Sequence, residues 1–229
     1  MMFPYLPMTT RRLIICFILI NLILASSCAL VGRDSPAPQR VVRVKALADA
    51  SFRERSPQWS REVGGLVEAA SDYFEREFGI RLLTSKIAPW APEKGSRSTA
   101  LLLERLQKDA PLKDREGSYD LVIGFTREPV NVYRGRAYVD RIGNCQEGLG
   151  NYVVSSVSEL FRYRGWDPEP ELDLLALIHE LAHIFGAEHT QDTRSIMHEG
   201  FGYRTGLDQK NRDVIMKNKF CPFANGQSR

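Results

Sequence analysis

All four histidines of this 229-residue chain lie between positions 179 and 198, and three of them stand in the run His179-Glu180-Leu181-Ala182-His183-Ile184-Phe185-Gly186-Ala187-Glu188-His189. At 3.6 residues per turn, positions 179 and 183 fall one above the other on a single helix face. Two imidazoles so placed reach one ion at the ~2.0–2.1 Å zinc–nitrogen distance. Gly186 suits the left-handed conformation that stops a helix and turns the chain, so that His189 closes on the same ion from another direction. Three imidazoles leave a fourth tetrahedral position for water, the pattern of a catalytic rather than a structural site, with one Zn2+. Glu180 adjoins the first ligand but points off the ligand face, where its carboxylate can take a proton from that water. A lone His-Glu-x-x-His recurs by accident in many helices. A glycine and a third histidine at fixed further offsets reduce accident to on the order of one in 10⁵ chains.

The opposite stripe of the same helix is apolar. Leu174, Ile178, Leu181 and Phe185 recur at helical spacing, so a helix from about Glu171 to Gly186, introduced by Pro168 and Pro170, is expected to pack on a sheet. Upstream, strands alternate with helices. Val41 to Val44 reads as a first strand; Ser56-Pro57 reads as the start of a helix carrying Val63, Leu66, Val67, Ala70, Phe74 and Phe78, ended by Gly79. Ile80 to Ile87 follows as a strand, then a helix from near Ser98 to the break at Pro111. Tyr119 to Phe125 is the clearest buried strand. Gly135 to Val139 and Asn151 to Val157 flank a turn-rich segment with Gly143, Asn144, Cys145, Gly148 and Gly150, and a last amphipathic helix covers Asp208 to Lys217. The pattern predicts one α/β (α+β) domain over residues 41–225.

The N-terminus is set apart. Arg11 and Arg12 precede an apolar run from Leu13 to Ala25, then Ser26, Ser27 and Cys28, the anatomy of a secretory signal over residues 1–27. The run of 13 residues is short of the ~20 that span a bilayer. An uncleaved anchor is the alternative. Residues 29–40, with two prolines and few apolar side chains, read as a tether following Cys28. Lys and Arg number 31 against 28 Asp and Glu, so no basic surface for nucleic acid is indicated. Of four cysteines, Cys16 leaves with the signal, and Cys28, Cys145 and Cys221 remain, an odd number for an oxidising compartment. Cys145 and Cys221 are either a disulfide or two buried thiols.

Two resemblances organise these readings. Leu24-Ala25-Ser26-Ser27-Cys28 resembles a bacterial lipobox, which implies acylation of Cys28 and a lipid anchor in the cell envelope; plain cleavage after Ser27, giving a secreted protein, is the alternative. His179 to His189 resembles the extended zinc motif of the metzincin metalloproteases. Ser195-Ile196-Met197, eight residues on, resembles their Met-turn. The likeness implies a twisted, mixed five-stranded sheet with an active-site helix, a backing helix and a C-terminal helix. It also implies an antiparallel edge strand, here Gly135, Arg136, Ala137, Tyr138 and Val139, that pairs with extended substrate. The implied activity is hydrolysis of protein or peptide bonds, with zinc on His179, His183 and His189, Glu180 as base, and Met197 as an apolar floor. Two positions depart from familiar subfamilies. Thr190 follows the third histidine, and Glu199 stands where astacin-like and serralysin-like enzymes carry a metal-reaching tyrosine. Tyr203 reads as a packing residue, His198 as outside the metal shell, and Asp192 as either a turn residue or a partner of a ligand imidazole. A monomer is expected. The rival reading is a catalytically silent peptide-binding module, against which the retained Glu180 argues.

Overall fold

The structure, a computed structural model, describes residues 40–91, 98–127, 137–157, 172–200 and 206–224. The signal segment, Cys28, Gly135, Arg136, Pro168, Pro170 and Tyr203 lie outside the described residues. Elements follow in the order β1 (Arg40–Ala48), α1 (Ala50–Arg55), α2 (Trp59–Phe78), β2 (Ile80–Pro89), α3 (Thr99–Asp109), β3 (Lys113–Asp114), β4 (Gly117–Ser118), β5 (Leu121–Thr126), β6 (Ala137–Val139), β7 (Tyr152–Ser156), α4 (Leu172–Ile184) and α5 (Gln209–Asn218).

The main sheet has five strands in the order β2-β1-β5-β7-β6. Its first four are mutually parallel and β6 runs antiparallel on β7, the mixed sheet expected. A parallel sheet covered on both faces needs strands that are apolar throughout, and β5 is buried at every position. Alternation then divides the core. Val42, Val44, Ala46, Leu121, Ile123, Phe125 and Val153 join α2 and α4 in the larger cluster. Leu47, Val122, Tyr152 and Val154 meet Trp90, Leu102 and Leu106 in a smaller one on the other face.

Two local expectations are corrected. Ser56-Pro57 does not open α2: Gln58 is its N-cap, and Ser56 instead ends the short helix α1, which the apolar periodicity did not reveal. Asp49 starts that helix by accepting the Phe52 amide at 2.9 Å. The β3–β4 hairpin was likewise unforeseen; Asp114 anchors it through the Lys45 ammonium at 2.8 Å. Gly79 closes α2 as expected, with φ 68°.

The turn-rich segment and the chain after α5 are stitched together. Leu149 N–H donates to Pro222 O at 2.9 Å and Ala224 N–H to Leu149 O at 2.9 Å. Cys145 and Cys221 face each other there with Cα atoms 4.9 Å apart, within disulfide span. A bridge across 76 positions contributes up to ~4.5 kcal/mol on a chain-entropy argument. Non-reducing peptide maps of the purified protein should recover this pair linked. The Cys145→Ser/Cys221→Ser variant should unfold at lower denaturant; equal midpoints would remove the bridge from the stability of the fold.

Candidate active site

Helix α4 carries His179 and His183 one turn apart, and His189 returns from beyond the helix end. Their three Nε2 atoms form a triangle: His183 to His179 is 3.1 Å, and His189 lies 3.2 Å from each. The other ring nitrogens explain the arrangement. His179 Nδ1–H donates to Ile196 O at 2.7 Å and His183 Nδ1–H to Ala187 O at 2.6 Å. A carbonyl oxygen only accepts, so the proton is assigned to Nδ1 and each Nε2 presents a lone pair. His189 Nδ1 is 2.9 Å from Glu199 Oε1, and a carboxylate beside that nitrogen favours the proton there. Three lone pairs therefore converge with no proton between them.

That donor set fits a cation. An ion ~2.0–2.1 Å from each nitrogen subtends N–metal–N angles of about 100° on a triangle of this size, close to tetrahedral. Neutral imidazoles suit zinc rather than magnesium or calcium. Burial holds the His183 pKa below its ordinary value, partly offset by the bond to Ala187, which keeps the ring neutral. Among the described residues no other group of three His, Cys, Asp or Glu side chains converges in this way.

The backbone around the site is fixed from two sides. The His183 carbonyl accepts from Gly143 N–H and from Gly186 N–H, each at 2.9 Å, and Asn218 Nδ2 donates to Phe185 O at 3.1 Å. Carbonyls that a helix end leaves unpaired are thereby satisfied. Gly186 has φ 96°, and a Cβ there would collide with Gly143 O and Asn218. Neither glycine tolerates a side chain, because a Cβ on Gly143 would meet Ile184 O.

Helix α5 holds the other side. Asn211 Oδ1 accepts Glu188 N–H and Asn211 Nδ2 donates to Glu188 O, both at 2.9 Å, so one buried amide grips the backbone beside His189. Asp208 caps α5 and accepts the Ser195 hydroxyl at 2.7 Å, while Ser195 Oγ accepts Met197 N–H at 3.1 Å. The turn that presents Ile196 O to His179 is thus tied to the helix start. Sequence reasoning missed Asn211 and this role of Asp208; the only signal was an Asp-x-x-Asn pattern at the helix start.

Met197 is fully buried in the larger core cluster. Asp192 accepts Arg194 N–H at 3.0 Å and so shapes the turn; the imidazoles meet Ile196, Ala187 and Glu199 instead. His198 stands apart from the triangle, its Nδ1 accepting Gly200 N–H at 3.0 Å. Glu180 Oε1 lies 4.0 Å from His179 Nε2, too far for a direct bond and near enough to share a water. Its side chain is 13% exposed, and burial pushes its pKa up to about 8.

Residues 38–226 match the sequence model of metallo-peptidase family M12. The chain belongs to that family. As an M12 member it is a zinc metallopeptidase. It is similar to the archaemetzincin of Methanopyrus kandleri, 30% identical over 153 residues that make up 64% of this chain and 78% of the relative. The crystal structure of that archaemetzincin superposes with a TM-score of 0.50 at 22% identity, covering 83% of this chain and 99% of the other. Metalloproteinase-II from Bacteroides fragilis superposes with a TM-score of 0.51 at 13% identity, over 81% of this chain and 55% of that longer one. At these identities the two structures carry the fold of the M12 chain alone.

The raised pKa of Glu180 has a consequence for the metal-free protein. The folded chain binds this proton more tightly than an unfolded one, with pKa about 8 against 4.5. The resulting penalty is absent below about pH 4.5, grows as pH rises and levels off above pH 8. The wild-type chain, stripped with chelator, should therefore lose stability over that window relative to Glu180→Gln. Parallel stability–pH curves for the two proteins would refute this.

Proposed function

We propose that the protein is an exported, lipid-anchored zinc endopeptidase that cleaves protein or peptide substrates at the cell envelope. The observation that carries the catalytic part is the pairing of three proton-free Nε2 atoms with a nearly buried carboxylate 4.0 Å from one of them. His179, His183 and His189 would hold one zinc ion. Zinc, when bound, supplies a Lewis acid that acidifies water and polarises the scissile carbonyl.

The rest falls to the chain itself. Glu180 accepts the proton of the attacking water and returns it to the departing amine, so one carboxylate serves both halves of the reaction. Sparse hydration makes it a stronger base than an exposed glutamate. Backbone carbonyls of Ile196 and Ala187 accept the Nδ1 protons of two of the imidazoles and orient the rings. Substrate would add as an extended strand along β6, the antiparallel one of the sheet's two outer strands among the described residues, where Ala137, Tyr138 and Val139 already pair with Ser155, Val154 and Val153. Gly135 and Arg136 belong to the same proposed strand and lie outside the described residues.

Export and anchoring rest on the signal-like segment and the lipobox-like sequence ending at Cys28. Among the described residues no helix is long and apolar enough to cross a membrane. Cys28→Ser should release the protein from membrane fractions or leave its signal uncleaved. Mass spectrometry of an unmodified, N-terminal Cys28 from membranes would refute acylation.

Peptide-library cleavage with and without chelator tests the activity. Glu180→Ala should keep its zinc, because the imidazoles are untouched, and lose ~10²–10⁴-fold in turnover. His183→Ala should lose metal and activity together. A zinc-replete Glu180→Ala protein that cleaves at the wild-type rate would overturn the mechanism, and a wild-type protein that binds zinc and cleaves nothing would favour the peptide-binding module.

A further inference from the structure

The three metal-facing imidazoles are not held alike. His179 and His183 rise from one helix, and their Nδ1 atoms bond to backbone carbonyls of Ile196 and Ala187, themselves buried. His189 lies outside any helix, its side chain is 47% exposed, and its Nδ1 lies 2.9 Å from the side chain of Glu199, which is 76% exposed. Asn211 grips the backbone one residue earlier, at Glu188, and so fixes where the His189 strand of chain runs. It does not fix how the ring turns about its own two side-chain torsions. Ring orientation is left to Glu199.

We propose that Glu199 is a positioning residue of the metal centre, which sets zinc affinity by orienting His189 and fixing its tautomer. The proposal rests on the zinc reading above. A neutral imidazole has one N–H, and whichever nitrogen bears it cannot bind metal. The Glu199 carboxylate lies 2.9 Å from Nδ1 and favours the proton there, which leaves Nε2 in the triangle as a donor to the ion. Without an acceptor there, the ring is free to carry its proton on Nε2 or to swing away into solvent. The acceptor is a charged carboxylate, unlike the two carbonyls that hold the other rings. The position falls two residues past Met197, and its carboxylate reaches the ligand rather than the triangle itself.

The test measures zinc binding and leaves catalysis aside. Wild type, Glu199→Ala, Glu199→Gln and Glu188→Gln are stripped of metal, and zinc affinity is measured by competition with a chromophoric chelator. Loss of an outer partner of a metal-bound histidine typically costs 10–100-fold in affinity, and Glu199→Ala should fall in that range. Glu199→Gln keeps an acceptor oxygen and loses the charge, so it should lie between. Glu188→Gln removes an equal charge beside His189, from a side chain that faces Lys210 at 3.5 Å, and should bind zinc as wild type does. Because Glu199 is exposed, the thermal midpoints of the metal-free proteins should agree.

Equal zinc affinity in wild type and Glu199→Ala would overturn the proposal and leave the zinc reading standing. Equal weakening by Glu199→Ala and Glu188→Gln would overturn it too, since that is charge acting at a distance. A wild-type protein that takes up no zinc would overturn the underlying reading, and this inference with it.

Discussion

Three imidazole nitrogens, each with a lone pair aimed at the others and 3.1–3.2 Å apart, repel one another unless a cation sits among them. Much of the polar architecture resists that repulsion. Each Nδ1 is engaged by an oxygen, so no ring can relieve the strain by moving its proton to Nε2. Each acceptor is fixed in turn. Ile196 sits in a turn braced by Ser195 and Asp208, and Ala187 is held by its own amide bond to Ala182 O at 3.0 Å. The cost of holding three lone pairs together in the metal-free chain is met by packing and hydrogen bonds elsewhere, as is usual for a preorganised site.

The end of helix α4 is where packing and chemistry meet. A helix that stops abruptly exposes carbonyls, and here the His183 carbonyl takes two backbone donors while Asn218 caps Phe185. Gly143 and Gly186 approach too closely for any side chain, so the turn-rich segment lies directly against the helix terminus. Cys145 and Cys221 join that segment to the chain beyond α5, two residues after Lys219, whose ammonium donates to Phe78 O at 3.2 Å. The three clustered histidines thus stand where α2, α4, α5 and the glycine-rich loop all meet.

Local pattern revealed much of this. The extended histidine run was legible because its chemistry is compact in sequence: helix spacing, a glycine stop and a third ligand within eleven positions. The strands and the four longer helices were legible as segments, from the continuous apolar run of β5 and the helical spacing of apolar residues in α2 and α4, while the mixed five-stranded sheet was what the metzincin resemblance implied. What escaped was set by tertiary contact. Helix α1 is six residues long with one buried side chain, Phe52, too short for periodicity to register. Asn211 grips a backbone 23 positions away, and no spacing rule connects a helix amide to a loop that far upstream. Asp192 and Glu199 are both acidic and stand three and ten residues past His189 in sequence. Only the folded turn decides that Asp192 meets Arg194 while Glu199 meets His189.

Exposure also varies across the triangle, and that gradient gives the centre a direction. His183 is 5% exposed, the His179 side chain 13% and the His189 side chain 47%. Charges on the His183 side act in a poorly screened interior, where a carboxylate such as Glu180 holds its proton more tightly. The His189 side opens to water and is the face from which a polypeptide can approach. A wholly buried triangle would bind an ion and admit no substrate, and a wholly exposed one would leave Glu180 an ordinary surface acid. The sequence arranges both by keeping two histidines on a core-packed helix and placing the third beyond Gly186. The one ligand that must stay wet is therefore also the one whose orientation falls to a side chain rather than to the backbone.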